Sequence, residues 1–197
     1  MKKSLLILAL AVFSFANAQK GTVLVAGNVG YSSQKSDVSA GTSPTVNSFN
    51  FSPKVGYQFN DNWTVGVESS IANSKSTYTS GEYKSNNFSV GGFLRYSKPI
   101  GGIFSAYADL GTGYHNVEQT NYNGGDFPYT STTKGNGFYV GVTPAISLNI
   151  SKGFGLNFNL GSIGYNTLNN TTHNGNDTKN FNFNFGQSFS VGISKNF

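Results

Sequence analysis

The chain contains no cysteine, and charged residues make up only 11% of its 197 residues. Without cysteine it can form neither a disulfide framework nor a cysteine-ligated metal site. Beyond the N-terminal segment it has no apolar run of the roughly 20 residues that a membrane-spanning helix requires. The net charge of +5 is small and the basic residues are scattered, so nucleic acid is not expected as a partner.

Glycine and aromatic residues are abundant instead, with 25 glycines, 17 phenylalanines and 11 tyrosines. Apolar residues recur at a period of two rather than at the 3.6 residues of a helix, which predicts β-strands throughout. The final stretch, residues 181–197, shows this alternation most clearly. Because successive side chains of a strand point to opposite sides, this strand has a small polar face of Asn, Ser and Gly. Its other face carries Phe181, Phe183, Phe185, Gln187, Phe189, Val191, Ile193, Lys195 and Phe197.

The N-terminus has the features of a cleaved export signal. Lys2 and Lys3 precede an apolar run over residues 5–15, which is too short to cross a bilayer. The run ends at Ala16-Asn17-Ala18, a small-x-small cleavage site. We therefore expect residues 1–18 to be a signal peptide and residues 19–197 to form one exported domain that begins at Gln19.

Seven further segments alternate like the last one and complete a set of eight predicted strands: 22–31, 49–59, 63–71, 88–98, 103–114, 138–148 and 154–165. Short turns are predicted at residues 60–62, 99–102 and 149–153, where Asn, Asp, Gly and Pro cluster. Long polar loops are predicted at residues 32–48, 72–87, 115–137 and 167–180. Short turns on one side and long loops on the other are typical of bacterial transmembrane β-barrels.

The chain resembles the small eight-stranded bacterial outer-membrane barrels of the OmpA-barrel, OmpX and OmpW-like group. Residues 51–68 and the terminal Phe197 are most similar to such barrels from Bacteroidetes-type bacteria. The resemblance implies an all-β, eight-stranded antiparallel up-and-down transmembrane β-barrel in the outer membrane, in contact with lipopolysaccharide and phospholipid. It also implies recognition by the barrel-assembly machinery through the C-terminal strand, at Phe189, Val191, Ile193 and Phe197.

A closed barrel also follows from the physical chemistry of a bilayer, because only helices and closed sheets pair all their backbone groups in hydrocarbon. Three residues do not fit simple strands. Pro53 and Pro144 each remove a backbone donor from the sheet, and Gln187 falls on the face that should contact lipid.

Four charged residues are predicted to point into the barrel. If the 60–62 turn pairs Phe59 with Trp63, then Lys54 lies directly opposite Glu68, and the alternation places Arg95 and Asp109 on the same inner face. An eight-stranded barrel has an interior just wide enough for side chains to fill, so the four charges are expected to form a salt-bridged layer. The inward Gly56 and Gly66 keep an alternative open, in which a narrow pore passes through this layer.

The sequence favours the first of three functions and keeps the other two as alternatives. The first is a non-enzymatic envelope or surface-interaction protein that contacts extracellular ligands through its loops. The second is a pore or transporter for small or hydrophobic solutes. The third is a lipid A-modifying enzyme that would use His115, Asp109 or His173 together with nearby Ser and Thr. No cofactor is expected, and residues 173–177 are interpreted as a flexible loop rather than as a cation site.

Overall fold

The computed structural model describes residues 21–36, 44–125, 127–151, 153–172 and 177–197, without the side chains of residues 151 and 187–189. The predicted signal peptide, Gln19 and His173 lie outside these ranges, as does the side chain of Phe189. The strands in chain order are β1 (Val23–Lys35), β2 (Thr45–Gln58), β3 (Trp63–Tyr78), β4 (Gly81–Gly101), β5 (Phe104–Asn123), β6 (Tyr129–Ser151), β7 (Phe154–Asn170) and β8 (Thr178–Asn196).

The strands form a closed, up-and-down barrel in which each pairs antiparallel with the next and β8 pairs with β1. The predicted fold class, strand number and strand order are therefore confirmed. Among the described residues no helix is long and apolar enough to cross a membrane.

The two faces of the barrel wall divide as the alternation predicts. Apolar side chains such as Val67, Leu110 and Val191 are exposed on the outside. Aromatic side chains gather at both ends of this apolar band, with the rings of Trp63 and Tyr96 4.9 Å apart at one end and those of Tyr114 and Phe138 6.0 Å apart at the other. Such girdles are typical of barrels that cross a bilayer.

The predicted long loops are largely wrong, because most of these polar residues continue the strands. A two-residue turn joins β3 to β4, and residues 124–128 join β5 to β6. Polar side chains can support a sheet in water when they pair across strands. The extension does so through Lys75–Glu82, Lys84–Glu82 and Lys134–Glu118 ion pairs and a Thr120–Thr132 hydrogen bond.

Interruptions in the ladder accommodate both prolines. Between β2 and β3 the pairing stops after Phe51↔Ile71 and resumes at Lys54↔Glu68, so Pro53 lies where no ladder bond to β3 is made. Between β6 and β7, residues 160–162 of β7 lie opposite only two residues of β6, one of which is Pro144. This bulge, centred on Gly161, leaves Pro144 outside the regular ladder with β7. Gly161 has a φ of 135°, which L side chains rarely adopt.

A second irregularity, on β8 beside this bulge, explains the position of Gln187. Asn159 pairs with Ser190 and Gly161 pairs with Phe185, so residues 186–189 of β8 lie opposite Leu160 alone. Gln187 therefore belongs to an irregular segment rather than to a regular outward-facing row. The orientation of its side chain lies outside the described part of the chain.

Candidate functional site

The barrel interior contains a layer of four charged residues whose positions follow from the strand register. A backbone hydrogen bond from Phe59 N to Trp63 O closes the β2–β3 turn, and this register places Lys54 directly opposite Glu68. On the other side of the layer, Arg95 lies directly opposite Asp109. The structure thus brings together the four charged residues that the alternation predicts on the inner face.

Asp109 is the centre of this charge layer. Its carboxylate accepts two hydrogen bonds from Arg95, at 2.6 Å from Nε and 2.9 Å from Nη2. Lys54 Nζ lies 3.0 Å from Asp109 Oδ2 and 2.8 Å from Glu68 Oε2, so the lysine joins the two acids. Tyr139 completes the chain by donating a 2.9 Å hydrogen bond to Glu68 Oε1. Two positive and two negative charges therefore balance within one connected layer.

Aromatic rings surround the two cations. Phe93 is only 3% exposed, and Lys54 Nζ lies 5.2 Å from the centre of its ring. The Arg95 guanidinium carbon lies 3.8 Å from the centre of the Tyr107 ring, within the range of a cation–π contact. The alternation that places Asp109 inside the barrel also places Tyr107, two residues before it, on the inner face, whereas Phe93 and Tyr139 were not expected in the layer. Phe93 lies two residues from Arg95, so strict alternation along β4 already places it on the inner face.

Glycines provide the space that these large side chains occupy. Gly56 and Gly66 face each other across β2 and β3, and a Cβ atom on either would lie under 3.0 Å from the Phe93 ring. A Cβ on Gly111 would lie 2.5 Å from Glu68 Oε1. The space beside Gly56 and Gly66 is thus occupied by an aromatic ring.

A cavity lies on each side of the charge layer. The cavity on the side of the long extensions has a volume of about 360 Å³ and is lined by Ser70, Ser89, His115, Tyr139 and Asn166, among others. The cavity on the side of the chain termini has a volume of about 120 Å³ and is lined mainly by polar residues, including Thr64, Arg95 and Asn157. Asn157 Oδ1 is buried there without a hydrogen-bond partner in the described part of the barrel.

The groups considered for catalysis do not form a triad in the described residues. His115 Nε2 lies 2.7 Å from the carbonyl oxygen of Thr167, and since a carbonyl only accepts, this nitrogen is the donor. The carboxylate that would have to orient the histidine, Asp109, is bound to Arg95 and Lys54 instead. No group of three or more His or acidic side chains that could hold a metal ion occurs among the described residues.

The C-terminal strand places its described signature residues at the outer surface. Val191 and Ile193 are more than half exposed. Phe197 exchanges two backbone hydrogen bonds with Val23, at 3.1 and 3.2 Å, and so fixes the end of β8 against the start of β1. Recognition of this strand by the assembly machinery remains a prediction.

Comparisons with known proteins agree with this architecture. The family of outer membrane protein β-barrel domains matches residues 4–189. A major outer membrane protein from Thermus thermophilus superposes with a TM-score of 0.57 at 12% identity, over 90% of this chain and 99% of that one. No match was found among curated proteins.

Two further solved structures resemble the chain more weakly. OprG from Pseudomonas aeruginosa has a TM-score of 0.47 at 15% identity, over 90% of this chain and 96% of that one. The translocator domain of the autotransporter NalP from Neisseria meningitidis has a TM-score of 0.48 at 12% identity, over 87% of this chain. The chain spans 62% of the length of that domain.

Proposed function

The chain belongs to the family of outer-membrane β-barrel domains, and from this premise we propose that it is a non-conducting, non-enzymatic barrel that presents a rigid β-structured surface outside the cell. Its outer-membrane location follows from the family. The paired charge layer inside the lumen is the main support for this function.

The charge layer supports a closed lumen because it is fully paired and enclosed by large side chains. Asp109 is 4% exposed and Arg95 is 7% exposed, and each of the four charges has an oppositely charged partner within 3.0 Å. Opening a path for ions would separate these charges in a confined interior, where an unpaired ion costs several kcal/mol.

The strand extensions support a role at the cell surface. β5 has 20 residues, which at about 3.3 Å per residue and a tilt near 40° rise about 50 Å, twice the height of an apolar band of about 25 Å. The outward-facing residues of β5 are largely apolar up to Tyr114 and mostly polar from Asn116 onward. The outer half of the strand therefore projects as ordered sheet on the side that carries the long extensions.

Ion conductance tests the closed lumen directly. We expect the refolded wild-type barrel to give no current steps above the membrane background in planar lipid bilayers. Step-like conductance that scales with the amount of inserted wild-type protein would contradict the proposal. A larger barrel of known conductance, inserted under the same conditions, controls for insertion.

A narrow pore is the second candidate, and the cavities on both sides of the charge layer favour it. Tyr139 lines one cavity and Arg95 lines the other, so the charge layer separates them. A current in the wild type that falls when Asn157 or Thr64 is replaced by a bulkier residue would support this candidate over a closed barrel.

Protease accessibility tests the orientation of the barrel. Tyr129, where β6 begins after the connection from β5, is 54% exposed, so we expect chymotrypsin to cleave after it when added to intact cells. Phe59 and Phe104, beside the short turns at the other end, should stay protected until the outer membrane is permeabilised. The variant Tyr129→Ser should remove the cleavage at this position. Cleavage of intact cells at Phe59 or Phe104 alone would reverse the orientation.

The tip of the β3–β4 hairpin should respond to acid. Hydrogen bonds from Lys75 and Lys84 lower the pKa of Glu82 below its usual range. The stabilisation is therefore present above the usual value of about 4.3 and is lost as the pH falls through the lower value of the folded hairpin. Amide exchange at residues 76–83, corrected for the intrinsic rate, should accelerate in that range. The variant Glu82→Gln should abolish the pH dependence, and an unchanged profile would contradict the assignment.

A further inference from the structure

The seam where β8 meets β1 is much shorter than the other strand pairings. It contains four residue pairs, from Leu24↔Asn196 to Gly27↔Ile193, and the terminal hydrogen bonds between Val23 and Phe197. By contrast, β1 pairs with β2 over thirteen residues. Beyond Gly27 and Ile193, β1 and β8 are not paired in the described part of the chain. The hydrogen-bonded ladder between β1 and β8 therefore ends partway along the barrel wall.

An apolar groove runs along the outer surface of this seam. It has a volume of about 370 Å³, and its outward-facing lining includes Val25, Val29, Phe51, Pro53, Val191 and Ile193. The groove is concave because its floor consists largely of small residues. Gly27 and Gly192 lie close together there, since a Cβ on Gly192 would be 2.9 Å from the Gly27 carbonyl oxygen.

The depth of the groove in the membrane follows from the strand pairing. Its lower end contains Phe154 and Lys195, which pair beside the short turn between β6 and β7. Its upper end contains Val29 and lies just above Ala26, the partner of Lys54 in the charge layer. The groove therefore covers the half of the bilayer that faces the chain termini.

A cationic side chain, Lys195, lies at the membrane-surface end of this groove. Its ammonium group lies 5.6 Å from the centre of the Phe197 ring, and its aliphatic stem can follow the apolar surface while the charge reaches the headgroup region. A lysine ammonium has three N–H donors, so it can bind a phosphate oxygen in addition to its contacts within the chain.

We propose that this groove holds one acyl chain of a phospholipid from the periplasmic leaflet, with the lipid phosphate bound to Lys195. A methylene occupies about as much space as the ~30 Å³ share of a liquid water molecule, so the groove has room for about a dozen methylenes. This inference rests on the orientation proposed above, which places the chain termini at the periplasmic face. Lipid A is disfavoured because its phosphates lie at the opposite surface.

A second copy of the chain fits this groove less well than an acyl chain does. Two copies related by an axis along the membrane normal would bring concave surfaces together. An acyl chain can instead adapt its shape to a narrow groove and gain close contact along its whole length.

Native mass spectrometry of the detergent-solubilised barrel tests the proposal. The probes are palmitoyl-oleoyl phosphatidylethanolamine and the matching diacylglycerol, which lacks the phosphate. We expect the wild type to retain one phosphatidylethanolamine and to lose the diacylglycerol readily. Val191→Trp fills the groove and Lys195→Gln removes the cation, and each should lower lipid retention by about tenfold, as expected for losing a charged hydrogen bond or its equivalent in packing.

Two matched variants outside the groove serve as controls. Val67→Trp adds the same bulk to an exposed lipid-facing position on β3, and Lys98→Gln removes an exposed cation near the β4–β5 turn. Both should retain lipid like the wild type. Heat-modifiable electrophoretic mobility checks that every variant is folded, and Lys195→Gln tests the site even if Val191→Trp does not fold.

Three results would overturn the proposal. The first is equal retention in all variants, which indicates nonspecific lipid only. The second is equal retention of diacylglycerol and phosphatidylethanolamine, which removes the role of the phosphate. The third is a dimer that Val191→Trp abolishes, which assigns the groove to a second copy. None of these results depends on ion conductance, so failure of this inference and failure of the closed-lumen proposal are distinguishable.

Discussion

Replacing Asp109 by asparagine is expected to destabilise the barrel by about 3–5 kcal/mol, the usual cost of removing one partner from a buried ion pair, or by less if water enters the lumen. Asp109 pairs with both Arg95 and Lys54, so the loss of its charge leaves Arg95 without an anionic partner and Lys54 with Glu68 alone. Asparagine keeps the size and shape of the side chain, so the measured change reports mainly on charge. Urea unfolding in lipid vesicles, followed by the fluorescence of Trp63, the single tryptophan, measures this loss.

A double-mutant cycle tests whether the layer acts as one unit. Glu68→Ala and Lys54→Ala should each destabilise the barrel, and the double variant should cost less than the sum of the two. If the layer closes the lumen, the double variant should also conduct ions where the wild type does not. Additive losses together with unchanged conductance would show that the charges are independent and that they do not block the lumen.

Gly66→Ala is expected to destabilise the barrel by about 1–3 kcal/mol or more, the range seen for overpacked interiors. An added Cβ would clash with the Val55 carbonyl oxygen and would lie 2.5 Å from the Gly56 Cα. Both atoms belong to the backbone of the neighbouring strand, which cannot move aside as a flexible side chain can. The same unfolding measurement applies.

Gly92→Ala is the matched control for this prediction. Gly92 follows Gly91 on β4 but faces outward, where an added Cβ would meet only the Gly66 carbonyl oxygen at 3.5 Å. Its φ lies outside the left-handed range, so alanine can adopt it. Gly92→Ala should therefore be neutral, or stabilising by about 0.4–1 kcal/mol through the unfolded chain. Equal effects at positions 66 and 92 would contradict the close packing of the β2–β3 wall.

Local patterns were sufficient to predict the barrel and most of its interior layer. The 60–62 turn fixes the pairing of Lys54 with Glu68, because register propagates without slippage along a regular antiparallel pair. The alternation on β4 and β5 also placed Arg95 and Asp109 on the inner face. Their direct contact could not be predicted, since it depends on the register across a second turn, whose pairing shifts between Pro99 and Gly101.

Bulges account for the errors in reading β7 and β8. A period of two assigns Phe158 and Leu160 to one face, but the three-residue bulge around Gly161 moves the outward row from even to odd numbers. Ile163 and Tyr165 are accordingly exposed on the outside. Glycine alone does not signal such a bulge in a chain with 25 of them, because most of the others lie in regular strands.

The polar extensions were misread for a different reason. Ser, Asn and Lys are weak strand formers, and strand propensity depends on the neighbours that a residue meets across the sheet. Lys75, Glu82 and Lys84 support the sheet only because the hairpin brings them together. A window that covers one strand at a time contains no information about such pairs.

The short β1–β8 seam has a consequence for the order of folding. It joins residues near the two ends of the domain, so it closes the longest loop of any strand pairing in the barrel, whereas each hairpin closes a short one. Contacts between residues far apart in the sequence form late, because closing the long loop between them costs chain entropy before the contacts can stabilise the structure. With only four pairs and the Val23–Phe197 bonds to join them, β1 and β8 are expected to meet last during folding and to separate first during unfolding.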